Sequence, residues 1–203
     1  DGVAVIMLPG RITRGKGHIV LLEALAALKR PDVLCLFVGS DAGQQNYRRE
    51  LEKHIAQLGL EGQCRIVTDC PDLPAAYMLA TVVACPSLVP EGFGRIAIEA
   101  QAMGRPVVAA RNGGLAETLV DGETGWLVPP ADAPALAVAL RSALDLPAED
   151  RAQLATRAMA HVADNFTNAR MCQLTFAVYA AALADKKESR KPAAPKSAKS
   201  KAA

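Results

Sequence analysis

Aromatic side chains are scarce in this 203-residue chain, at 4% of the total. That scarcity excludes the row of base-stacking platforms with which a protein grips single-stranded nucleic acid. No apolar run approaches the ~20 residues a membrane-spanning helix needs. The opening Asp1-Gly2-Val3 carries no basic n-region of a secretory signal. The five cysteines include no Cys-x-x-Cys pair, and the three histidines, His18, His54 and His161, are too scattered to read as a zinc site. No Asp-x-Asp pair occurs anywhere, so a carboxylate clamp for a metal–diphosphate has no candidate. There is no internal repeat. Together these absences point away from membrane-spanning, secreted and zinc-binding proteins and towards a reducing, cytoplasmic compartment.

Charge is divided unevenly. The net charge is +2, but six Lys, Arg190 and Glu188 give +6 from Lys186 onward, which leaves −4 on residues 1–185. A mildly acidic body argues against a duplex-binding face, so no nucleic-acid partner is expected. The Lys/Ala/Pro/Ser-rich stretch 186–203 is too polar to order itself and reads as a disordered basic tail behind a domain of residues 1–185. Its cations suit either a peripheral contact with the anionic inner face of the cell membrane or a simple solubilising role.

What is present is a substantial core, with 51% hydrophobic residues. Short β-branched runs bounded by Gly and Pro predict strands at Val3–Leu8, Val33–Val38, Arg65–Thr68, Val82–Pro86, Val107–Ala110 and Gly125–Val128. Stretches of helical period predict helices at His18–Lys29, Gln44–Leu58, Leu73–Ala80, Arg95–Met103 and Leu115–Val120, then at roughly 132–144, 148–164 and 168–184. Strict alternation predicts an α/β fold: a Rossmann-like parallel sheet of about six strands with helices on both faces. Such sheets bind ligands in a crevice at the carboxyl ends of their strands. Cys35 and Cys85 lie in apolar runs and read as buried thiols; Cys64 and Cys172 read as packing residues.

Two constellations fall at strand ends. The first, Gly10-Arg11-Ile12-Thr13-Arg14-Gly15-Lys16-Gly17, almost spells a P-loop, but Gly17 stands where the Mg²⁺-binding hydroxyl belongs, so an NTPase is a poor reading. Arg11 and Lys16 are either phosphate-binding cations at a strand-to-helix turn or two solvated surface charges. The second is Pro90-Glu91-Gly92-Phe93-Gly94-Arg95-Ile96-Ala97-Ile98-Glu99-Ala100. Gly92 and Gly94 let the backbone approach a ligand before a helix N-terminus that favours an anion. Glu99 lies among apolar neighbours and needs a partner, because burying it alone is costly. Sugar hydroxyls would satisfy Glu91 and Glu99 alike; the plainer alternative is a capping Glu91 and a helix-surface Glu99.

Gly10-Arg11 and Lys16-Gly17, followed by Glu91 and Glu99 eight positions apart, resemble the donor half of a family 4 retaining glycosyltransferase of the GT-B fold. Ala100-Gln101-Ala102-Met103-Gly104-Arg105-Pro106, Gly113-Gly114-Leu115-Ala116-Glu117 and Asp121-Gly122-Glu123-Thr124-Gly125-Trp126 extend the resemblance from about Val3 to Phe176. The Gly39-Ser40-Asp41 and Ala100–Met103 variants look most like lipopolysaccharide-core and other surface-glycan enzymes. The resemblance implies that Arg11 and Lys16 hold a donor diphosphate with Gly10 and the Gly92-Phe93-Gly94 backbone. Glu91 would meet the transferred sugar, Glu99 the ribose, and the Asp69-Cys70 loop the base. It further implies a nucleoside-diphosphate sugar donor, a glycan or lipid-linked acceptor, no metal and no other cofactor, and an N-terminal acceptor domain that this chain does not include. A non-catalytic nucleotide-sugar-binding module and a sugar-nucleotide epimerase are the competing expectations. The pair Gly113-Gly114 reads as a structural turn.

Overall fold

The computed structural model describes residues 2–188. Among them, six strands form one sheet: β1 (Ala4–Pro9), β2 (Val33–Val38), β3 (Cys64–Val67), β4 (Val82–Cys85), β5 (Val107–Ala110) and β6 (Trp126–Val128). Their order is β3-β2-β1-β4-β5-β6, with every neighbouring pair parallel. β1 is therefore the pivot from which the chain winds outward in both directions. Each predicted strand is found within one residue at either end.

The helices are α1 (His18–Leu28), α2 (Gln45–Gln57), α3 (Leu73–Leu79), α4 (Arg95–Ala102), α5 (Leu115–Thr118), α6 (Ala133–Leu144), α7 (Ala148–Asn165) and α8 (Asn168–Glu188). A 3-10 turn at Arg14–Lys16, not anticipated from sequence, precedes α1. Two helix starts are written plainly in the sequence. Asp72 and Asp132 accept hydrogen bonds from the Ala75 and Ala135 N–H groups at 2.9 and 2.8 Å, each with a proline in the first turn.

Strand alternation sends neighbouring residues to opposite faces. Ile6, Leu8, Val82, Ala84 and Val108 join α1, α2 and α6 side chains such as Leu22, Leu51 and Leu140 in one core. Met7, Val83, Val107 and Ala109 meet Tyr77 of α3, Ala97 and Ala100 of α4, and Leu115 of α5 in the other. Each fully buried large aliphatic side chain contributes roughly 1.5–3 kcal/mol relative to exposure. Cys35, Cys64 and Cys85 are buried as expected, whereas Cys172 is exposed rather than packed.

The chain divides into two compact units, one ending at Ala163 and one beginning at Asp164. In the second, α8 continues to Glu188, past the predicted helix end and past Lys186, where the tail was expected to start. The rest of that expected tail, 189–203, lies outside the described residues. The apolar residues of α8, among them Met171, Leu174, Phe176 and Val178, lie around the helix rather than along one stripe.

His18 opens α1 fully buried, edge-on to Phe37 and Tyr47 at ring distances of 5.2 and 5.9 Å. A carbonyl can only accept, so Nδ1 carries the proton and donates to the Thr13 carbonyl at 3.2 Å, leaving Nε2 buried without a partner. Burial lowers its pKa to about 4 against the opposing Thr13 carbonyl, and the Lys16 charge adds to the lowering. The unfolded chain, with His18 near 6.5, binds this proton first, so its stabilising share is complete above pH 6.5 and is lost as pH falls towards 4. The loss should reach about 3 kcal/mol. Urea melts of His18→Phe across pH 4–7 should show a flattened slope; the wild-type slope in the variant would exclude His18 as its source.

Candidate functional site

β1 pairs with β2 along all of Ala4–Pro9 but with β4 only at Ile6 and Met7. The alternation of backbone groups explains why. Ala4 and Gly10 donate to Asp32 and Val38 on the β2 side at 3.3 and 2.8 Å, whereas Val5 accepts from Thr81 on the β4 side at 2.8 Å. After Met7, which still pairs, Pro9 is the next residue facing β4, and it has no N–H to offer. The ladder ends there, and the strands part. Leu8 and Pro9 on one side and Ala84 and Cys85 on the other line a cavity of about 430 Å³. It sits at the carboxyl ends of two strands whose chains wind in opposite directions, where open α/β sheets place their ligands.

Lys16 reaches this cavity from the 3-10 turn. Its Nζ lies 2.6 Å from Glu91 Oε1, and both side chains are about one-fifth exposed, at 21% and 22%. Ser87, itself 2% exposed, donates its hydroxyl to the same Oε1 at 2.6 Å. Partial burial opposes the charge on Glu91, but the hydrogen bonds from Lys16 and Ser87 outweigh it and hold the carboxyl below its ordinary pKa. Gly10 has φ 132°, a backbone conformation that L side chains rarely adopt, and a β-carbon there would press on Ile96 Cδ1 at 3.2 Å. At Gly17 the backbone is left-handed (φ 76°), and a β-carbon would fall 1.9 Å from the Pro86 carbonyl oxygen. The hydroxyl that a P-loop requires is therefore excluded sterically.

The loop Glu91–Gly94 is held from the other side by Gly113 and Gly114. The Gly114 N–H donates to the Glu91 carbonyl at 2.7 Å. A β-carbon at Gly113 would lie 2.5 Å from that carbonyl oxygen, and one at Gly114 would lie 2.6 Å from Phe93 Cα. This close approach gives the glycine pair the structural part the sequence suggested. Gly94 caps α4 with φ 78°, and Glu99 lies on that helix facing the cavity. Glu99 has found protein partners: buried Tyr77 donates to Oε2 and Arg95 to Oε1, both at 3.0 Å. Burial and the adjacent Glu99 charge push the Tyr77 phenol well up.

Of the sequence candidates, Lys16, Glu91, Phe93, Gly94 and Glu99 line one cavity. Gly10 stands behind Lys16 rather than in the lining. Arg11 and Gly92 are exposed, and neither is in the lining. Cys70 is likewise outside it, with its thiol donating to the Asp72 carbonyl at 3.6 Å. Sequence reasoning missed Ser87, Tyr77 and Arg95. Of these only Arg95 had a signal, the i,i+4 spacing to Glu99. Among the described residues, no cluster of three or more His, Cys, Asp or Glu side chains is placed to hold a metal, and no helix is long and apolar enough to cross a membrane.

A pivoting parallel sheet with a charged cavity at its strand ends defines a doubly wound, Rossmann-like ligand-binding domain. Residues 1–161 match the family described as glycosyl transferases group 1. The chain belongs to that family, and its fold is that of the GT-B glycosyltransferases. It is 43% identical over 148 residues to a D-inositol 3-phosphate glycosyltransferase of Corynebacterium kroppenstedtii, covering 70% of this chain and 33% of the relative. Among solved structures, a glycosyltransferase from Rickettsia africae superposes with a TM-score of 0.84 at 34% identity, covering 88% of this chain and 48% of that one. Anabaena Alr3699/HepE, solved in complex with UDP and glucose, gives 0.82 at 30% identity, covering 89% and 49%. The chain thus spans about a third of the curated relative's length and about half of each solved chain.

Proposed function

We propose that this chain is the donor-binding part of a retaining glycosyltransferase that transfers a hexose from a nucleoside-diphosphate sugar to a glycan or lipid-linked acceptor. The observation that carries this reading is the convergence of Lys16, Glu91 and Glu99 on one cavity at the β1/β4 parting. Lys16 has three N–H donors and uses one on Glu91, which leaves two for diphosphate oxygens. The first N–H groups of α4, beyond Gly94, have no partner within the helix and add positive potential at the same wall. These groups take up charge on the departing diphosphate as the glycosidic bond breaks, a role that metal-dependent transferases give to a cation. Glu91 then orients sugar hydroxyls, and Glu99, held by Tyr77 and Arg95, accepts from the ribose. The sugar acquires oxocarbenium character and the acceptor attacks from the face the diphosphate leaves, which retains configuration. Uridine is the proposed base, on the strength of the UDP bound by Alr3699/HepE. A surface-glycan acceptor rests on the motif variants alone.

Titrating the chain with UDP, GDP, ADP and uridine tests the reading, with UDP expected to bind best. Loss of a charge-assisted phosphate contact costs about 1.5–3 kcal/mol, so Lys16→Ala should weaken UDP roughly ten- to a hundredfold. Uridine, which has no phosphate, should be almost unaffected. Equal losses for both ligands would show that Lys16 supports the fold and not the diphosphate.

A further inference from the structure

We infer that Ser87 is the positioning residue for Glu91, its buried hydroxyl fixing the carboxylate in the orientation that receives the transferred sugar. The inference rests on the reading above, because it takes the sugar as the ligand of Glu91. Ser87 lies just beyond β4, and its hydroxyl donates to Glu91 Oε1 at 2.6 Å. Lys16 reaches the same oxygen from the 3-10 turn, so neither bond uses Oε2, and that oxygen is the acceptor for a sugar hydroxyl. The two donors are not equivalent. Lys16 sits on a long flexible stem and is shared with the diphosphate, whereas Ser87 has one rotatable bond and a buried backbone.

That backbone is clamped at both ends by a single loop. Between β5 and α5, Asn112 donates its amide to the Ser87 carbonyl at 3.3 Å, and Gly114 donates its N–H to the Glu91 carbonyl at 2.7 Å. The segment Ser87–Glu91 is thus set before any ligand arrives, and the carboxylate loses little further freedom on binding. The ionisable groups that bear on Glu91 are Lys16 and, from β4, the buried Cys85 thiol, which the Glu91 charge helps push up to about 12, behind burial as the main cause and against the pull of Lys16.

Calorimetric titration of wild type, Ser87→Ala and Ser87→Cys with UDP and with UDP-glucose tests the inference. Wild type should prefer UDP-glucose. Ser87→Ala should lose about tenfold of that preference with UDP affinity changed less than twofold. Ser87→Cys, similar in size but a weaker donor, should fall between them. Because Ser87 helps hold the Glu91 proton off, the fall of the preference at low pH should move to higher pH in Ser87→Ala. An unchanged preference in Ser87→Ala, or equal losses for both ligands, would overturn the positioning role while leaving the donor site standing. Wild type that shows no preference, or no binding, would remove the sugar reading of Glu91 and the inference with it.

Discussion

Residues 1–203, supplied with a UDP-sugar and candidate acceptors, are expected to bind donor and to transfer nothing measurable. The proposed donor cavity lies wholly within this chain, so a dissociation constant in the micromolar-to-millimolar range is expected, about −4 to −8 kcal/mol. Transfer needs more than donor binding. Holding two reactants in a near-attack geometry supplies roughly 7–11 kcal/mol of a barrier, and this chain spans only about half of the solved chains it resembles. Without the acceptor held against the sugar, most of that is forfeited, which at tenfold per 1.36 kcal/mol is a deficit of at least about 10⁵ in rate. If the proposal holds, adding an N-terminal acceptor domain, in cis or as a separate chain, should give turnover. Robust transfer by residues 1–203, measured against Lys16→Ala as blank, would show that the acceptor site lies within this chain.

Gly17→Ser should destabilise the protein strongly, although the substitution completes the P-loop pattern. The left-handed backbone at Gly17 costs any L-residue roughly 1–2 kcal/mol, and here the new β-carbon would stand 1.9 Å from the Pro86 carbonyl oxygen. The residue cannot step aside. Its N–H donates to Arg14 at 3.1 Å and its carbonyl accepts from Leu21 at 3.0 Å, tying the 3-10 turn to α1. Overpacking of this kind adds about 1–3 kcal/mol or more, so a total near 4 kcal/mol is expected, a large share of the 5–15 typical of a domain. Gly43→Ser is the matched control. Its φ is +73°, but nothing lies within 4 Å of its β-carbon position, so it should cost only the backbone term. Thermal melts that place the two variants together would exclude the Pro86 clash.

The sheet was legible because each strand is a short β-branched run that no helical period explains, and Pro or Gly closes most of them. Helix ends were less so. Leu119 turns to extended backbone (φ −117°, ψ 142°) and stops α5 at Thr118, two residues before the predicted end, with no Gly or Pro to announce it. In the site, Arg11 and Lys16 read as equals, since a loop has no period to say which cation turns inward. The structure separates them: Lys16, at the end of the 3-10 turn, lines the cavity, while Arg11 is left exposed. The Lys16–Glu91 pair spans 75 residues and the Tyr77–Glu99 pair 22, so both depend on the strand order and not on local spacing. Glu99 shows the same gap in another form. Its apolar neighbours suggested burial and a partner; the structure leaves its side chain 35% exposed and pairs it with a tyrosine and an arginine of the protein itself.

The parting of β1 and β4 at Pro9 works as a zipper stop. Because the gap begins where a backbone donor is missing, the place where the cavity opens is set by the main chain. Two engineering problems are thereby uncoupled. Lys16, Glu91 and Glu99 all lie outside the strands and can be substituted without touching the sheet. A residue with an N–H at position 9 would let the zipper close one further rung and shrink the chamber while leaving every rim side chain in the sequence unchanged.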